Sequence, residues 1–448
     1  MARGKTSYRC VECGYVSAGW LGRCPHCGSW ESFAEVHEEK GGSSREHAAA
    51  HPSVVTPLDR PQTERVARTP TGIAEFDQVL GGGLVPGAVI LIAGPPGIGK
   101  STLLLQVARE VAQQAPIIYA SGEESFEQIS MRAARLGTLH ENILLAADTN
   151  LPAVIAAARE AKPALLIVDS VQAMTIPELP SAAGSLVQVR EGAQALVSFA
   201  KTTGIPVLVI GHVTKEGQIA GPKVLEHVVD TVIYFEGDSS NLFRIVRTTK
   251  NRFGPTDEIG VFEMGEHGLV PVKNPSAAFL SGREGQGGIV FPALEGTRVI
   301  LSEVQSLVTA SLYPAPRHIA SGIDPTKLNL LIAVLEKRAD VSFAGCDVYL
   351  STSSGIRIRE PGIDLAAVLA LYMGLREESP ELVAAFGEVG LDGYVRPIFR
   401  PEPRIKEVAR MGVKRLVMPR YDRMNARIPR DLEVVEVSTI REALEAVK

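Results

Sequence analysis

Aromatic residues are scarce in this chain, 5% of 448 positions, and only two are tryptophans, Trp20 and Trp30. A basic excess is missing as well: 46 Lys and Arg stand against 51 Asp and Glu, a formal net charge of −5. That excludes a protein coated with positive charge for nucleic acid, so any such surface has to be local. No apolar run approaches the roughly 18 residues of a membrane span. The opening Met1-Ala-Arg-Gly-Lys-Thr-Ser is not followed by the apolar core of a signal peptide, and the expected location is cytoplasmic. Cysteine is rare: of five, four fall within the first 27 residues. In a reducing compartment this excludes a disulfide scaffold and points to a metal.

The four early cysteines form two C-x-x-C pairs, Cys10/Cys13 and Cys24/Cys27, ten residues apart. Each pair is a turn that presents two thiolates, and two turns complete a tetrahedral four-cysteine site suited to Zn²⁺. Gly14 and Gly28 follow the second cysteine of each pair, where a knuckle needs a permissive backbone. Residues 1–37 therefore read as a zinc-finger module whose folding energy comes from the metal. Trp20 and Trp30 flank the second pair. Covering a tiny core is their favoured reading, and stacking on nucleobases the other. Residues 38–67, with Gly-Gly-Ser-Ser and an alanine run, read as a linker.

Order resumes at residue 68. Gly94-Pro95-Pro96-Gly97-Ile98-Gly99-Lys100-Ser101 fits G-x-x-x-x-G-K-[ST], between the apolar run ending at Ala93 and a helical pattern opening at Thr102. That is the strand–loop–helix setting of a loop whose backbone N–H groups cradle phosphates. Lys100 is expected on the β- and γ-phosphates of ATP, and Ser101 on Mg²⁺. Apolar runs at 116–120, 165–168, 207–210 and 232–235 alternate with helical stretches, which implies a mostly parallel α/β sheet with ligands at the strands' carboxyl ends.

Polar residues cluster at those ends. Asp169 closes an apolar strand, as a carboxylate holding Mg²⁺ does. Glu123, with Glu124 as second choice, can polarise the attacking water. His212 is placed to sense the γ-phosphate. Lys215 and Lys223 lie on or beside the glycine-rich loop after it and are candidate DNA contacts. Lys250 and Arg252, one residue apart, can serve a γ-phosphate as an arginine finger does, in the same subunit or in another.

The four cysteines, the phosphate loop and Lys250-Asn-Arg-Phe-Gly254 occur in this order. Together with Trp20-Leu-Gly-Arg-Cys-Pro-x-Cys-Gly28, they make the chain resemble the bacterial RadA (Sms) family of DNA repair proteins over essentially its whole length. The resemblance implies a RecA-like P-loop ATPase over 68–270, related to DnaB-type ring helicases, and DNA-stimulated ATP hydrolysis in a hexameric ring. It implies processing of recombination intermediates, by branch migration or strand extension, with single-stranded and branched DNA as substrates. Recombinase RecA or a replicative helicase is the implied partner. It also favours action of Lys250 and Arg252 across the subunit boundary.

For residues 271–448 the same resemblance implies an α+β domain like the proteolytic domain of Lon. Gly362 aligns with the serine and Glu402 with the lysine of that protease, so the Ser–Lys chemistry is absent. A nucleotide-gated scaffold that loads other recombination proteins is the alternative function, and a Lon-type protease the weaker one. Residues 396–430 hold eleven Lys/Arg against three Asp/Glu, a local excess able to attract a phosphate backbone. Arg404, Lys406 and Arg410 have near-helical spacing and are expected to line one DNA-facing side.

Overall fold

The computed structural model describes residues 6–11, 16–17, 19–25, 28–37, 67–212, 222–236, 243–280, 288–352, 358–377, 382–422 and 428–448. Cys13, Cys27 and Lys215 lie outside them, as does nearly all of the expected linker. The chain divides into two compact units, Met1–Pro271 and Val272–Lys448.

The first unit opens with a small antiparallel sheet of β1 (Thr6–Cys10), β2 (Val16–Ser17) and β3 (Phe33–His37), in the order β2-β1-β3. Among the described residues its apolar core is Cys10, Cys24 and Phe33, with Tyr8 against them. A core this small among the described residues fits a module that draws its stability from metal. The expectation that Trp20 and Trp30 cover this core is overturned, because their side chains are 56% and 72% exposed.

Next come α1 (Ala74–Leu80), β4 (Val89–Gly94), α2 (Lys100–Ala112), β5 (Ile117–Ser121), α3 (Phe126–Leu136), β6 (Ile143–Ala147), α4 (Leu151–Ala161) and β7 (Leu166–Asp169). They are followed by α5 (Leu186–Thr203), β8 (Val207–His212), α6 (Pro222–Val228), β9 (Thr231–Glu236), β10 (Phe243–Asn251), β11 (Ile259–Gly265) and β12 (Gly268–Pro271). The strands make one nine-stranded sheet, β12-β11-β10-β9-β4-β8-β7-β5-β6. From β9 to β6 neighbours run parallel, and β10 to β12 add an antiparallel edge. Every residue of β4 is buried, as a central strand covered on both faces requires. Its side chains alternate: Ile90 and Ile92 join the core shared with α1, α2 and α3, while Val89, Leu91 and Ala93 join the one shared with α4, α5 and α6.

The second unit contains α7 (Pro275–Leu280), β13 (Ile289–Glu295), β14 (Arg298–Ala310), β15 (His318–Ser321), α8 (Pro325–Ala339), β16 (Cys346–Thr352) and α9 (Asp364–Arg376). It continues with β17 (Val383–Ala385), β18 (Glu388–Val389), β19 (Val395–Arg396), α10 (Pro401–Arg410), β20 (Arg415–Pro419), β21 (Glu433–Val437) and α11 (Ile440–Glu445). Seven strands form a mixed sheet, β15-β16-β14-β13-β17-β20-β21, and β18 pairs with β19. Residues 364–373 of α9 are all buried, so this helix is the unit's central post. Among the described residues no helix is long and apolar enough to cross a membrane.

Candidate nucleotide site and its surroundings

The phosphate loop leaves β4 at Gly94 and enters α2 at Lys100. Gly94 has φ +154°, and a Cβ there would meet Phe235 Cβ at 2.9 Å. Gly97 has φ +74° with nothing within 4 Å of an added Cβ. Only glycine takes both conformations cheaply. Lys100 is 4% exposed. Its Nζ donates to Gly94 O and Pro95 O, each at 2.9 Å, which folds the ammonium inside the loop. Burial pulls its pKa down to about 8, against the opposing pull of Asp169 and Glu123. Ser101 and Thr102 occupy the first turn of α2, half-buried behind it.

Asp169 ends β7 beside Ser121 of β5, in register. Its Oδ2 accepts a 2.6 Å hydrogen bond from the buried Tyr119 hydroxyl. Burial first, then Asp169, pushes the Tyr119 pKa well above the phenol range, so the tyrosine remains a donor. Glu123 lies in the turn after β5. The Ser170 hydroxyl donates to its Oε1, and His212 Nε2 stands 3.5 Å from the same oxygen. Burial, then Lys100, lowers the His212 pKa below 6.5, which keeps the imidazole neutral at pH 7. Glu124 turns away: it forms an ion pair with Arg132 of α3.

Lys100, Glu123, Asp169 and His212 thus meet at the carboxyl ends of β4, β5, β7 and β8. The two His212 ring nitrogens and Gln172 Oε1 are buried without a hydrogen-bond partner. Such orphaned polar atoms around a folded-in lysine fit a polyanionic ligand with its cation. The acids at Asp169 and the Ser101 hydroxyl are hard oxygen donors of the kind Mg²⁺ takes. Tyr119, Ser170 and Gln172 are members of this site that sequence reasoning missed. A tyrosine inside the apolar run 116–120, next to a phosphate loop, was the available signal for Tyr119.

Lys250 and Arg252 stand elsewhere. β10 runs antiparallel to β9, pairing Asn251 with Thr231, and Thr231 pairs with Ile90 of β4. Ile90 is four residues before Gly94, roughly 13 Å down the strand. The pair therefore lies at the amino-terminal end of the parallel strands, beyond side-chain reach of the phosphate loop in its own chain. Lys250 Nζ donates to Glu226 O at 2.6 Å and Val229 O at 2.9 Å, capping the end of α6. Arg252 Nη1 donates to Asp230 Oδ1 at 3.1 Å and remains 49% exposed. Asp230, also unforeseen, is fixed in turn by the Val89 N–H.

In the N-terminal module the buried Cys10 and Cys24, one from each pair, pack together. The Cys24 knuckle closes through Gly28 N to Cys24 O at 2.9 Å and Cys24 N to Ser29 O at 2.8 Å. Among the described residues no group of three or more His, Cys, Asp or Glu could hold a metal, Cys13 and Cys27 being outside them. Two buried thiols brought together from separate C-x-x-C turns fit a tetrahedral thiolate site for Zn²⁺.

The expected DNA-facing side of α10 is corrected at one position. Arg404 is completely buried. Its guanidinium forms a two-pronged ion pair with Glu360 and donates to Pro292 O at 2.6 Å. It points into the second unit's core and presents nothing to a phosphate. Lys406 is exposed; Arg410 is exposed and paired with Glu407 and Asn274. These two line a surface cavity of about 290 Å³ with Arg298 and Ser276. Lys223 is in α6, its side chain outside the described set. At Gly362, an added Cβ would meet Ile398 Cδ1 at 2.7 Å, and Glu402 sits in the first turn of α10.

Residues 55–218 match the AAA domain family, and residues 8–35 match the rubredoxin metal binding domain family. The chain is 43% identical over 453 residues to the DNA repair protein RadA of Bacillus subtilis (strain 168), covering 99% of each. It is 44% identical over 450 residues to the DNA repair protein RadA of Aquifex aeolicus (strain VF5), covering 100% of each. A crystal structure of the RadB recombinase, 24% identical, aligns with 45% of this chain and 99% of its own at a TM-score of 0.37. The chain belongs to the RadA family of DNA repair proteins, as an ATP hydrolase with a P-loop AAA-type domain behind an N-terminal zinc ribbon.

Proposed function

We propose that copies of this chain assemble head to tail into a ring that hydrolyses ATP between subunits and moves on branched or single-stranded DNA. What carries the reading is the separation of two half-sites. The phosphate loop and the Lys250–Arg252 pair stand at opposite ends of the sheet, which favours service by the pair to a nucleotide held by another copy. A head-to-tail contact that repeats and closes gives a ring.

Within one subunit, Lys100 and the loop N–H groups bind the β- and γ-phosphates. Ser101 and Asp169 would hold Mg²⁺, which would supply charge neutralisation to those phosphates. Glu123 takes the proton of a water that attacks the γ-phosphorus, as the bond to the β-phosphate oxygen breaks. His212, against Glu123, reports the γ-phosphate to the loop that follows β8. Asp169 is held in place by Tyr119.

The second unit is read as a Lon-like domain without protease chemistry, since Gly362 has no hydroxyl and Glu402 no amine. Its DNA contact is assigned to Lys406, Arg410 and their basic neighbours, with Arg404 excluded. The zinc ribbon takes its four thiolates from Cys10, Cys13, Cys24 and Cys27.

The test is the ATPase rate with single-stranded, duplex and branched DNA, with mass in solution measured under the same conditions. Stimulation by DNA in a ring-sized assembly is the expected result. A monomer hydrolysing at a DNA-independent rate would remove the motor.

A further inference from the structure

Neither the nucleotide site nor the thiolate cluster uses the two tryptophans. We propose that Trp20, Arg23 and Trp30 form a stacking platform for the bases of single-stranded nucleic acid. This rests on the reading that DNA is the load, and adds a second contact to it.

The backbone brings Arg23 and Trp30 together, with Trp20 three residues before Arg23 in the chain. Arg23 and Trp30 pair as an antiparallel bridge, and Glu31 N donates to Gly22 O at 2.9 Å, which sets the two segments side by side. Each indole is supported from within the module. The Trp20 ring lies against Gly22, where an added Cβ would meet Cζ3 at 3.7 Å. The Arg23 guanidinium sits 5.7 Å from the Trp30 ring centroid. Arg23 is itself held by a 3.0 Å hydrogen bond from Nε to Gly28 O. Both rings keep most of their surface in solvent.

Exposing the chain's only tryptophans from a module this small costs hydrophobic free energy, and placing rings in supported positions reduces the ordering cost of a later contact. A base offers a flat π-face to such a ring whatever its identity, and the guanidinium beside it suits the adjoining phosphate. Residues 1–37 hold four Lys and Arg against three Asp and Glu. Stacking, and not long-range charge, therefore dominates at this end, in contrast to the basic stretch of the second unit.

Because the chain has only Trp20 and Trp30, its tryptophan emission reports on this platform alone. The full-length, zinc-loaded protein is titrated with a poly(dT) oligonucleotide. Emission gives the platform's occupancy, and anisotropy of a labelled strand gives total binding. Expected are quenching that follows binding, and about a tenfold weaker affinity in Trp30→Ala, in line with one lost base stack. Trp30→Phe should restore most of that affinity. Zinc content and DNA-independent ATP hydrolysis should be unchanged in both, since the ring is exposed and remote from the cysteine core. Binding by anisotropy with unchanged emission, or with unchanged affinity in Trp30→Ala, overturns the platform and leaves the motor standing. Absence of any binding overturns both.

Discussion

Glu123 and Glu124 are adjacent in sequence and differ in surroundings, which separates their expected effects. Glu123 accepts from Ser170 and stands 3.5 Å from His212, beside Lys100. Glu124 is spent on Arg132. Glu123→Gln should lower kcat by about a hundredfold or more while ATP still binds, the usual loss for a general base. Glu124→Gln should keep kcat within a few-fold and change stability by under about 1 kcal/mol, as a half-exposed ion pair allows. Steady-state ATPase with a separate nucleotide-binding measurement checks both. Lys100 gives a pH prediction. Its pKa is pulled down to about 8 by burial, and a phosphate group raises it again. At pH 8 a share of the population must therefore gain a proton when ATP binds, and affinity should weaken as pH rises through that value. Calorimetry at pH 8 in two buffers of different ionisation heat reads this directly; identical heats in both buffers would contradict it.

At the scale of elements, α10 shows how a site can be misread from composition and read correctly from period. Its buried positions are Pro401, Arg404, Ile405 and Val408, the i, i+3, i+4, i+7 stripe of a helix packed on a core. Counting charges from 396 to 430 put Arg404 on the surface, whereas the stripe puts it inside, where Glu360 meets it. Arg404→Ala should empty a fully buried site and break the ion pair to the partly exposed Glu360, destabilising the second unit by about 2–3 kcal/mol. Thermal unfolding measures this, and a variant that unfolds like the wild type while losing DNA affinity would restore the surface reading. The nucleotide site was more legible. A continuous apolar run, a glycine loop and a helix are local signals, and Asp169 and His212 each end such a run. Tyr119 and Gln172 were less so, because their roles come from which strands lie side by side. The same holds for the tryptophans, since a module with so few described core residues gives no period from which to read burial.

At the scale of the whole molecule, strand direction is what the proposed ring rests on. β10 returns antiparallel to β9, which carries Lys250 and Arg252 away from the loop of their own chain. Within the chain they occupy local partners, α6 carbonyls and Asp230, which a neighbour's nucleotide would have to displace in the proposed ring. Two inactive variants then become complementary. Lys100→Ala lacks a working loop and offers an intact Arg252. Arg252→Ala offers an intact loop and lacks the guanidinium, and its exposed position makes the change tolerable to the fold. Each alone should hydrolyse little ATP. Mixed in equal amounts under conditions of subunit exchange, they should recover activity at about one site in four, since a productive site needs an intact loop from one copy and an intact finger from its heterologous neighbour. The recovery should follow the product of the two mole fractions and peak at equal mixing. Flat, near-zero activity across all ratios, with exchange verified by mass, would place both half-sites in one chain and dissolve the ring argument.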